Sequence, residues 1–219
     1  WDFGDSETST VLNPIHSYTA PGEYTASVTI TTSTEVQTFE TTVVIFDTPT
    51  ASTVADIPIC DDNNDGIHSF DFNTEVTPIV LDAQDPTSFA VTYHPTQADA
   101  EANTNGYANP YENTNTQETV FVRIENTNNT NCFDTTSFGI EVFETPLIEN
   151  ITDLQNCDDG LDGDLSNGQT DTDLSALTAV VLGSQDATLF SVSYHLNSAD
   201  ATAANSPLPL SYYNTSAFN

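Results

Sequence analysis

The sequence has almost no positive charge: Arg123 is its single cation, and it contains no lysine. Its 33 Asp and Glu residues give a formal net charge of −32. Proteins that bind nucleic acid or anionic lipid use Lys and Arg to neutralise phosphate, so this surface repels both partners. We therefore expect no nucleic-acid partner, and we expect the acidic surface to attract divalent cations.

Long hydrophobic runs are also missing. No stretch of about 18 apolar residues occurs, which a membrane-spanning helix would need, so we expect no membrane insertion of this segment. The sequence begins with a motif Trp rather than with Met or a signal peptide, so we expect it to be part of a longer chain. Charged residues make up only 16%, and Thr, Asn and Ser take their place. This composition favours strands and turns over helices.

One acidic segment occurs twice. The copies are Cys60–Gly66 and Cys157–Gly163, and both begin Cys-Asp-Asp. Their flanks match as well: Phe46-Asp47-Thr48-Pro49 corresponds to Phe143-Glu144-Thr145-Pro146, and Val91-Thr92-Tyr93-His94 corresponds to Val192-Ser193-Tyr194-His195. A period of about 100 residues fits tandem domains. We predict the C-terminal part of one domain at 1–45, a complete repeat at 46–144 and a truncated second copy at 145–219.

Alternation of apolar and polar residues predicts strands in these domains. Thr25–Ile30 and Phe39–Ile45 should form a hairpin. The candidate strands of the complete repeat are Ser69–Phe72, Phe89–Tyr93, Thr119–Glu125 and Phe138–Val142, and one helical turn is expected at Ala98–Asn103. Many short strands without long helical periods indicate an all-β fold, with β-sandwich domains arranged as beads on a string.

The first domain resembles the PKD domain, an Ig-like β-sandwich. The matching residues are Trp1-Asp2-Phe3-Gly4-Asp5, Asn13-Pro14, His16, Tyr18, Pro21-Gly22 and Tyr24. Ser6 stands where the family pattern has Gly, so we expect a different turn there. The strands that precede the Trp in the family are absent from this sequence.

From Phe46 onward the chain is similar to tandem Ig-like repeats of very large surface adhesins of gliding Bacteroidota, which are exported by type IX secretion. The similarity rests on the Cys-Asp-Asp segments, on Val122–Asn126 and on Asn131–Phe133. It implies a non-catalytic extracellular stalk at the outer-membrane surface, used in adhesion or gliding. Its implied partners are neighbouring domains of the same chain, and surface polysaccharide or the secretion and motility machinery. The alternative is an accessory PKD/Ig-like region of a secreted polysaccharide-degrading enzyme or protease.

The acidic segments also predict a cofactor, calcium. Oxygen-bearing side chains alternate in Asp61-x-Asn63-x-Asp65-Gly66, as in the opening of a calcium loop, although flanking strands argue against an EF-hand. The same residues could instead form a turn held by Asx hydrogen bonds. The predicted metal ligands are Asp61, Asp62, Asn63, Asp65 and Asp71 in the first repeat, and Asp158, Asp159, Asp162, Asp164 and Asp173 in the second.

The three cysteines include no Cys-x-x-Cys pair, which argues against zinc. Because the resemblance implies export, we predict a disulfide between Cys60 and Cys132, each of which precedes a candidate strand. Cys157 would then have no partner in this sequence. Three free thiols are the alternative.

No arrangement of nucleophile, His and Asp indicates an active site, and we predict that the segment is not an enzyme. His94 and His195 occupy matching positions in the two copies, which is typical of structural residues. Arg123 is interpreted as a structural ion-pair partner. Four tyrosines would support carbohydrate binding if exposed, although packing is the preferred interpretation. They are Tyr107, Tyr111, Tyr212 and Tyr213.

Overall fold

The computed structural model describes residues 1–148, 151–160, 163–164 and 166–214. The chain divides into two compact units, Trp1–Glu144 and Thr145–Asn219. Strands hold 33% of the residues and helices 13%, so the predicted all-β class is confirmed. No helix within the described ranges has the length and apolar character needed to cross a membrane.

The N-terminal part of the first unit is a hairpin of two antiparallel strands, β1 (Gly22–Thr31) and β2 (Val36–Ile45). It contains both strands predicted for this region. The aromatic motif packs beside it, where Phe3 stacks on His16 and its carbonyl accepts a hydrogen bond from Tyr18 Oη at 2.9 Å. Ser6 adopts a φ of 77°, in the left-handed region that favours Gly. The turn therefore keeps a glycine-like backbone despite the substitution.

The first repeat contains six strands and three short helices. They are β3 (Ile57–Asp61), β4 (Ser69–Phe70), α1 (Phe72–Glu75), α2 (Thr77–Leu81), β5 (Phe89–His94), α3 (Gln97–Ala102), β6 (Tyr111–Glu112), β7 (Gln117–Asn126) and β8 (Asn129–Glu144). The main sheet has the order β3-β8-β7-β5, in which β3 runs parallel to β8 and the other pairs are antiparallel. Strands β4 and β6 pair separately.

The core of this repeat lies on one face of β7. Val120, Val122 and Ile124 alternate along that strand and are fully buried, as the sequence pattern predicts. The aromatic rings of Phe70 and Phe72 belong to the same cluster. Helix α3 packs against β5, β7 and β8 and covers residues on the other face of β7. The middle of β7 is therefore buried on both faces.

One local prediction for this repeat differs from the structure. The strand predicted at Ser69–Phe72 ends at Phe70, because Asp71 caps helix α1 through hydrogen bonds from the Thr74 backbone and hydroxyl. Pro78 lies in the first turn of α2, a position that suits its fixed φ. The predicted helical turn at Ala98–Asn103 is confirmed as α3.

The segment that enters the first repeat runs alongside β8 before it becomes β3. Three hydrogen bonds mark its path: Asn126 Nδ2 to the Asp47 carbonyl at 3.1 Å, the Ala51 N–H to Asp134 at 2.9 Å, and the Gly139 N–H to Asp56 at 2.7 Å. Asp47 therefore lies at the β7–β8 hairpin, which we call the leading end of the repeat. The opposite end, where β3 pairs with the last residues of β8 up to Glu144, is the trailing end.

The second unit has fewer regular elements. They are β9 (Asp171–Asp173), α4 (Ser175–Leu182), α5 (Ser198–Thr202) and β10 (Ser211–Tyr213), with β9 antiparallel to β10. Residues 192–195, the counterpart of β5, form no strand here. In the first repeat β5 pairs only with β7, and the described part of the second unit holds no counterpart of β7.

Candidate functional site

The two cysteines of the first repeat lie at its opposite ends. Cys60 is exposed on β3 and pairs with Phe143 across the parallel ladder. Cys132 is half-buried near the beginning of β8, eleven residues before Phe143 on the same strand. That interval corresponds to roughly 35 Å of extended strand. A disulfide needs Cα atoms within about 7 Å, so the predicted Cys60–Cys132 bond is wrong for this fold.

The first acidic loop is organised around the Asp61 carboxylate, which is only 2% exposed. Its two oxygens accept hydrogen bonds from the Gly66 N–H at 2.6 Å and the Asn63 N–H at 3.1 Å. Asp65 accepts from the Ile67 N–H at 2.8 Å. Gly66 has a φ of 80°, which lets the loop close onto Asp61. These contacts form nested Asx turns.

The pKa of Asp61 reflects two opposing effects. Desolvation by burial acts to raise it, but the backbone N–H groups of Gly66, Asn63, Asn64 and Asp65 outweigh burial and lower the pKa. The carboxylate is thus held ionised by amide donors. A cation at the same oxygens would approach the positive ends of those N–H dipoles.

The other predicted ligands of the first repeat do not complete a metal site. Asp71 caps α1 and also accepts from Asn109 Nδ2 at 2.7 Å, so it serves the helix. Asn63 Nδ2 donates to Asp65, while Asp62 is exposed. Across the described ranges, no three Asp, Glu, His or Cys side chains are grouped so that they could hold a metal. Calcium therefore stays a prediction from the sequence.

The second acidic loop repeats the amide-binding arrangement. Asp158 accepts from the Gly168 N–H at 2.8 Å and the Gly160 N–H at 3.2 Å, as Asp61 does in the first copy. Three further candidates accept local donors: Asp159 from the Asp171 N–H, Asp164 from Ser166, and Asp173 from Ser175. Asp162 lies outside the described residues. Both copies therefore use their first loop Asp to bind backbone amides.

If the acidic loops are Asx turns without a bound ion, calcium should leave the thermal unfolding of the 219-residue chain unchanged. In that case the backbone amides that donate to Asp61 hold the loop without a cation. Melting curves in millimolar calcium and in EDTA should coincide. Asp61→Asn should lower the melting temperature equally in both buffers, while the exposed control Asp62→Asn should not. A calcium-dependent rise that EDTA reverses and Asp61→Asn abolishes would establish the calcium site instead.

A buried asparagine that the sequence analysis overlooked ties the acidic loop to β6. Asn113 is 4% exposed; its Oδ1 accepts from the His68 N–H at 2.6 Å and its Nδ2 donates to the Gly66 carbonyl at 2.7 Å. Asn214 makes the matching pair of bonds to Thr170 and Gly168. The signal was available, because both Asn residues follow a Tyr-x pair at equivalent positions.

A second overlooked residue holds the joint at the start of each repeat. Gln84 accepts from the Thr50 N–H at 2.9 Å and donates to the Thr50 carbonyl at 2.7 Å. In the second unit, Gln185 accepts from the Leu147 N–H at 2.7 Å and donates to the Leu147 carbonyl. The side-chain amide of each Gln thus provides the two hydrogen bonds that a neighbouring strand would otherwise give to the backbone of the joint. We call this paired contact the glutamine clip.

Removing the glutamine clip should free the joint without unfolding the repeat. For Gln84→Ala we expect roughly 2- to 10-fold faster exchange of the Thr50 amide hydrogen, since a net hydrogen bond contributes about 0.5–1.5 kcal/mol. Amide exchange followed by NMR measures this directly. Gln37→Ala is the matched control, because the exposed Gln37 bonds only locally to Glu35. Unchanged exchange at Thr50 would show that the clip does not hold the joint.

Two of the histidines, His94 and His195, have hydrogen-bond partners on both ring nitrogens. His94 is 1% exposed and contacts Thr92 Oγ1 at 2.9 Å and the Thr104 carbonyl at 2.7 Å. His195 makes the same contacts with Ser193 and the Asn205 carbonyl. His94 joins β5 to the loop after α3, and His195 joins residues 192–195 to the loop after α5, which is a structural arrangement.

Arg123 lies under α3 and is 3% exposed. Its Nε donates to Glu125 at 2.7 Å, and its terminal nitrogens donate to the carbonyls of Ala100, Glu101 and Thr130. Two of those carbonyls belong to the last turn of α3, where the Ala100 carbonyl also accepts from the Asn103 N–H at 3.4 Å. Arg123 therefore forms the predicted ion pair and also caps a helix.

The aromatic candidates of the first repeat pack against each other. Tyr107 and Tyr111 stack with ring centroids 4.0 Å apart, and Tyr111 is 9% exposed. Tyr111 Oη donates to Glu118 at 2.5 Å, and burial first, then this bond, raises the pKa of the tyrosine. The pair offers no open aromatic platform.

Comparison with known families gave two matches. Residues 56–146 and 153–219 match the model of the Flavobacterium inter-domain disulphide bond domain. Residues 1–46 match the PKD domain. Neither the curated proteins nor the solved structures gave a match. The predicted resemblance of residues 1–45 to PKD domains is thus confirmed, as is the presence of a repeated Bacteroidota-type domain after it.

Proposed function

Since the chain belongs to the Flavobacterium inter-domain disulphide bond domain family and begins with a PKD domain, we propose that it is a stalk segment of a large surface adhesin. These families indicate an extracellular multidomain protein. The proposal adds that the repeats act as spacers for adhesion or gliding, after export by type IX secretion.

The observation that carries this proposal is the position of the two cysteines. A structural disulfide inside the repeat would link neighbouring elements, whereas Cys60 and Cys132 lie at its trailing and leading ends. Cysteines placed in this way suit bonds between successive domains, which the family description names. The glutamine clip adds local order to each joint.

The segment is proposed to work without catalysis and with neighbouring repeats as its main partners. The contacts of His94 and His195 support this proposal because both rings brace loops. Surface polysaccharide or the motility machinery would be met by other parts of the long chain. The nearly uniform negative charge supports a spacer that does not adhere to anionic surfaces.

Intact cells provide the test. An antibody against the first repeat should label cells without lysis, and in-frame deletion of the repeats should preserve export while weakening attachment or gliding. Labelling only after lysis would contradict the proposal. Normal attachment together with loss of a secreted hydrolase activity would favour an accessory region of an enzyme.

A further inference from the structure

The sequence contains two Asn-Gly pairs, Asn105-Gly106 and Asn167-Gly168. In such a pair the backbone nitrogen of Gly can attack the side-chain carbonyl carbon of Asn, because Gly has no Cβ that would hinder the approach. We propose that Asn105 is a modification site, at which this reaction proceeds in the folded protein, whereas the fold protects Asn167. The reaction needs no partner, so it does not depend on the proposed role as a stalk.

The first Asn-Gly pair is open to solvent. Asn105 and Gly106 are both exposed, in the segment between α3 and β6. Among the described residues the Gly106 N–H has no hydrogen-bond acceptor, whereas the next N–H, that of Tyr107, donates to the Tyr93 carbonyl at 2.8 Å. The Gly106 nitrogen has to lose its proton as it attacks. Water and hydroxide can reach that proton, since no protein group covers it.

The second Asn-Gly pair is held in the second acidic loop. The Gly168 N–H donates to the Asp158 carboxylate at 2.8 Å, and Asn167 Oδ1 accepts from the Gln169 N–H at 3.0 Å. A hydrogen bond to a charged group has to break before the Gly168 nitrogen can turn toward the Asn167 side chain. The negative charge of Asp158 also opposes the loss of a proton from that N–H. Asn167 should therefore react more slowly than Asn105.

The second unit shows that this loop does not need an amide side chain. The residues equivalent to Asn105-Gly106 are Ser206-Pro207, and the following Leu208 N–H donates to the Tyr194 carbonyl at 2.8 Å, as in the first repeat. Ser206 has a φ of 49°, close to the 52° of Asn105. A Ser-Pro pair cannot react in this way, because Ser has no side-chain carbonyl and Pro has no N–H. The modification is therefore particular to the first repeat.

The reaction balances without an oxidant or a cofactor. The Gly106 nitrogen forms a bond to Cγ of Asn105 and loses its proton, while the bond from Cγ to Nδ2 breaks and Nδ2 leaves as ammonia with that proton. Water then opens the cyclic imide. Attack of water on Cγ gives aspartate, and attack on the backbone carbonyl carbon gives isoaspartate, in which the chain continues through the side chain. Both products add a negative charge.

The new carboxylate would lie beside Asp99. In the unmodified chain, Asn105 Nδ2 donates to Asp99 Oδ1 at 2.7 Å, and the Thr104 hydroxyl donates to the same oxygen at 3.1 Å. Conversion removes the Asn105 donor and brings two carboxylates together, which repel each other. The modification therefore loosens the attachment of the loop to α3.

The test follows the 219-residue chain during prolonged incubation in mildly alkaline buffer. Peptide mapping by mass spectrometry detects each conversion from the ammonia lost and the water gained, and an isoaspartyl methyltransferase labels the isoaspartate. In the folded chain, Asn105 should convert roughly 10-fold faster than Asn167 or more, which corresponds to one hydrogen bond to a charged acceptor. In concentrated urea the two rates should become similar, because both sites are Asn-Gly pairs.

Two variants complete the test. Gly106→Ala should suppress conversion of Asn105, and the fold can accept it because the added Cβ would lie 3.7 Å from its nearest neighbours, His94 and the Tyr93 carbonyl. Asp158→Asn should accelerate conversion of Asn167 and leave the rate at Asn105 unchanged. The proposal is overturned if Asn105 converts in urea but not in the folded chain, or if both sites convert equally fast in the folded chain.

Discussion

Arg123→Met is expected to destabilise the first repeat by about 3–5 kcal/mol, the usual cost of removing one partner from a buried ion pair. The substitution leaves Glu125, which is 8% exposed, without its cationic partner. It also removes the donors that satisfy the Ala100, Glu101 and Thr130 carbonyls. The most slowly exchanging amides of β7 should report this loss, because they open only with the whole repeat.

Two variants separate charge from shape at this position. Arg123→Lys keeps the charge but not the planar set of donors, so we expect it to recover only part of the stability. The double variant Arg123→Met with Glu125→Leu should recover more, because no buried carboxylate remains unpaired. If Arg123→Met costs less than about 1 kcal/mol, the ion pair is not a principal support of the fold.

Phe72→Ala should be the most damaging single truncation in the core, at about 3–5 kcal/mol. The Phe72 ring is fully buried and lies within 5.7 Å, centroid to centroid, of its four aromatic neighbours. These are Phe70, Tyr93, Tyr111 and Phe138. Truncation of this ring leaves a cavity between the main sheet and the β4–β6 pair. Exchange of the β7 amides again measures the loss.

The matched control is Phe143→Ala, which removes the same side chain from a position that is 46% exposed. It should cost less than half as much, because a half-exposed ring loses less burial and leaves no closed cavity. Equal losses for the two variants would contradict the assignment of Phe72 to the centre of the core.

The parts of the fold that the sequence predicts are those with local patterns. The alternation at Thr119–Glu125 identified β7, and the one at Phe39–Ile45 identified β2. The β3–β8 pair was missed because a parallel ladder between Ile57–Asp61 and the end of β8 joins segments about 80 residues apart, which no local pattern encodes. Helix α1 was missed because Asp71 was interpreted as a metal ligand rather than as a helix cap.

At the candidate site, too, local sequence patterns predict some features, while others depend on the three-dimensional fold. The sequence located the acidic loops and offered Asx turns as an alternative to calcium, but the direction of the amide groups toward Asp61 became visible only in the structure. The predicted Cys60–Cys132 bond is wrong for a topological reason. Cys60 and Cys132 each precede a strand, yet β3 lies beside the far end of β8.

The proposed role of these domains is that of spacers in an extracellular stalk. Electron microscopy of the multi-repeat protein tests it most directly. If the repeats act as spacers, the length of the particles should increase with the number of repeats. Particles whose length does not depend on the number of repeats would contradict that role.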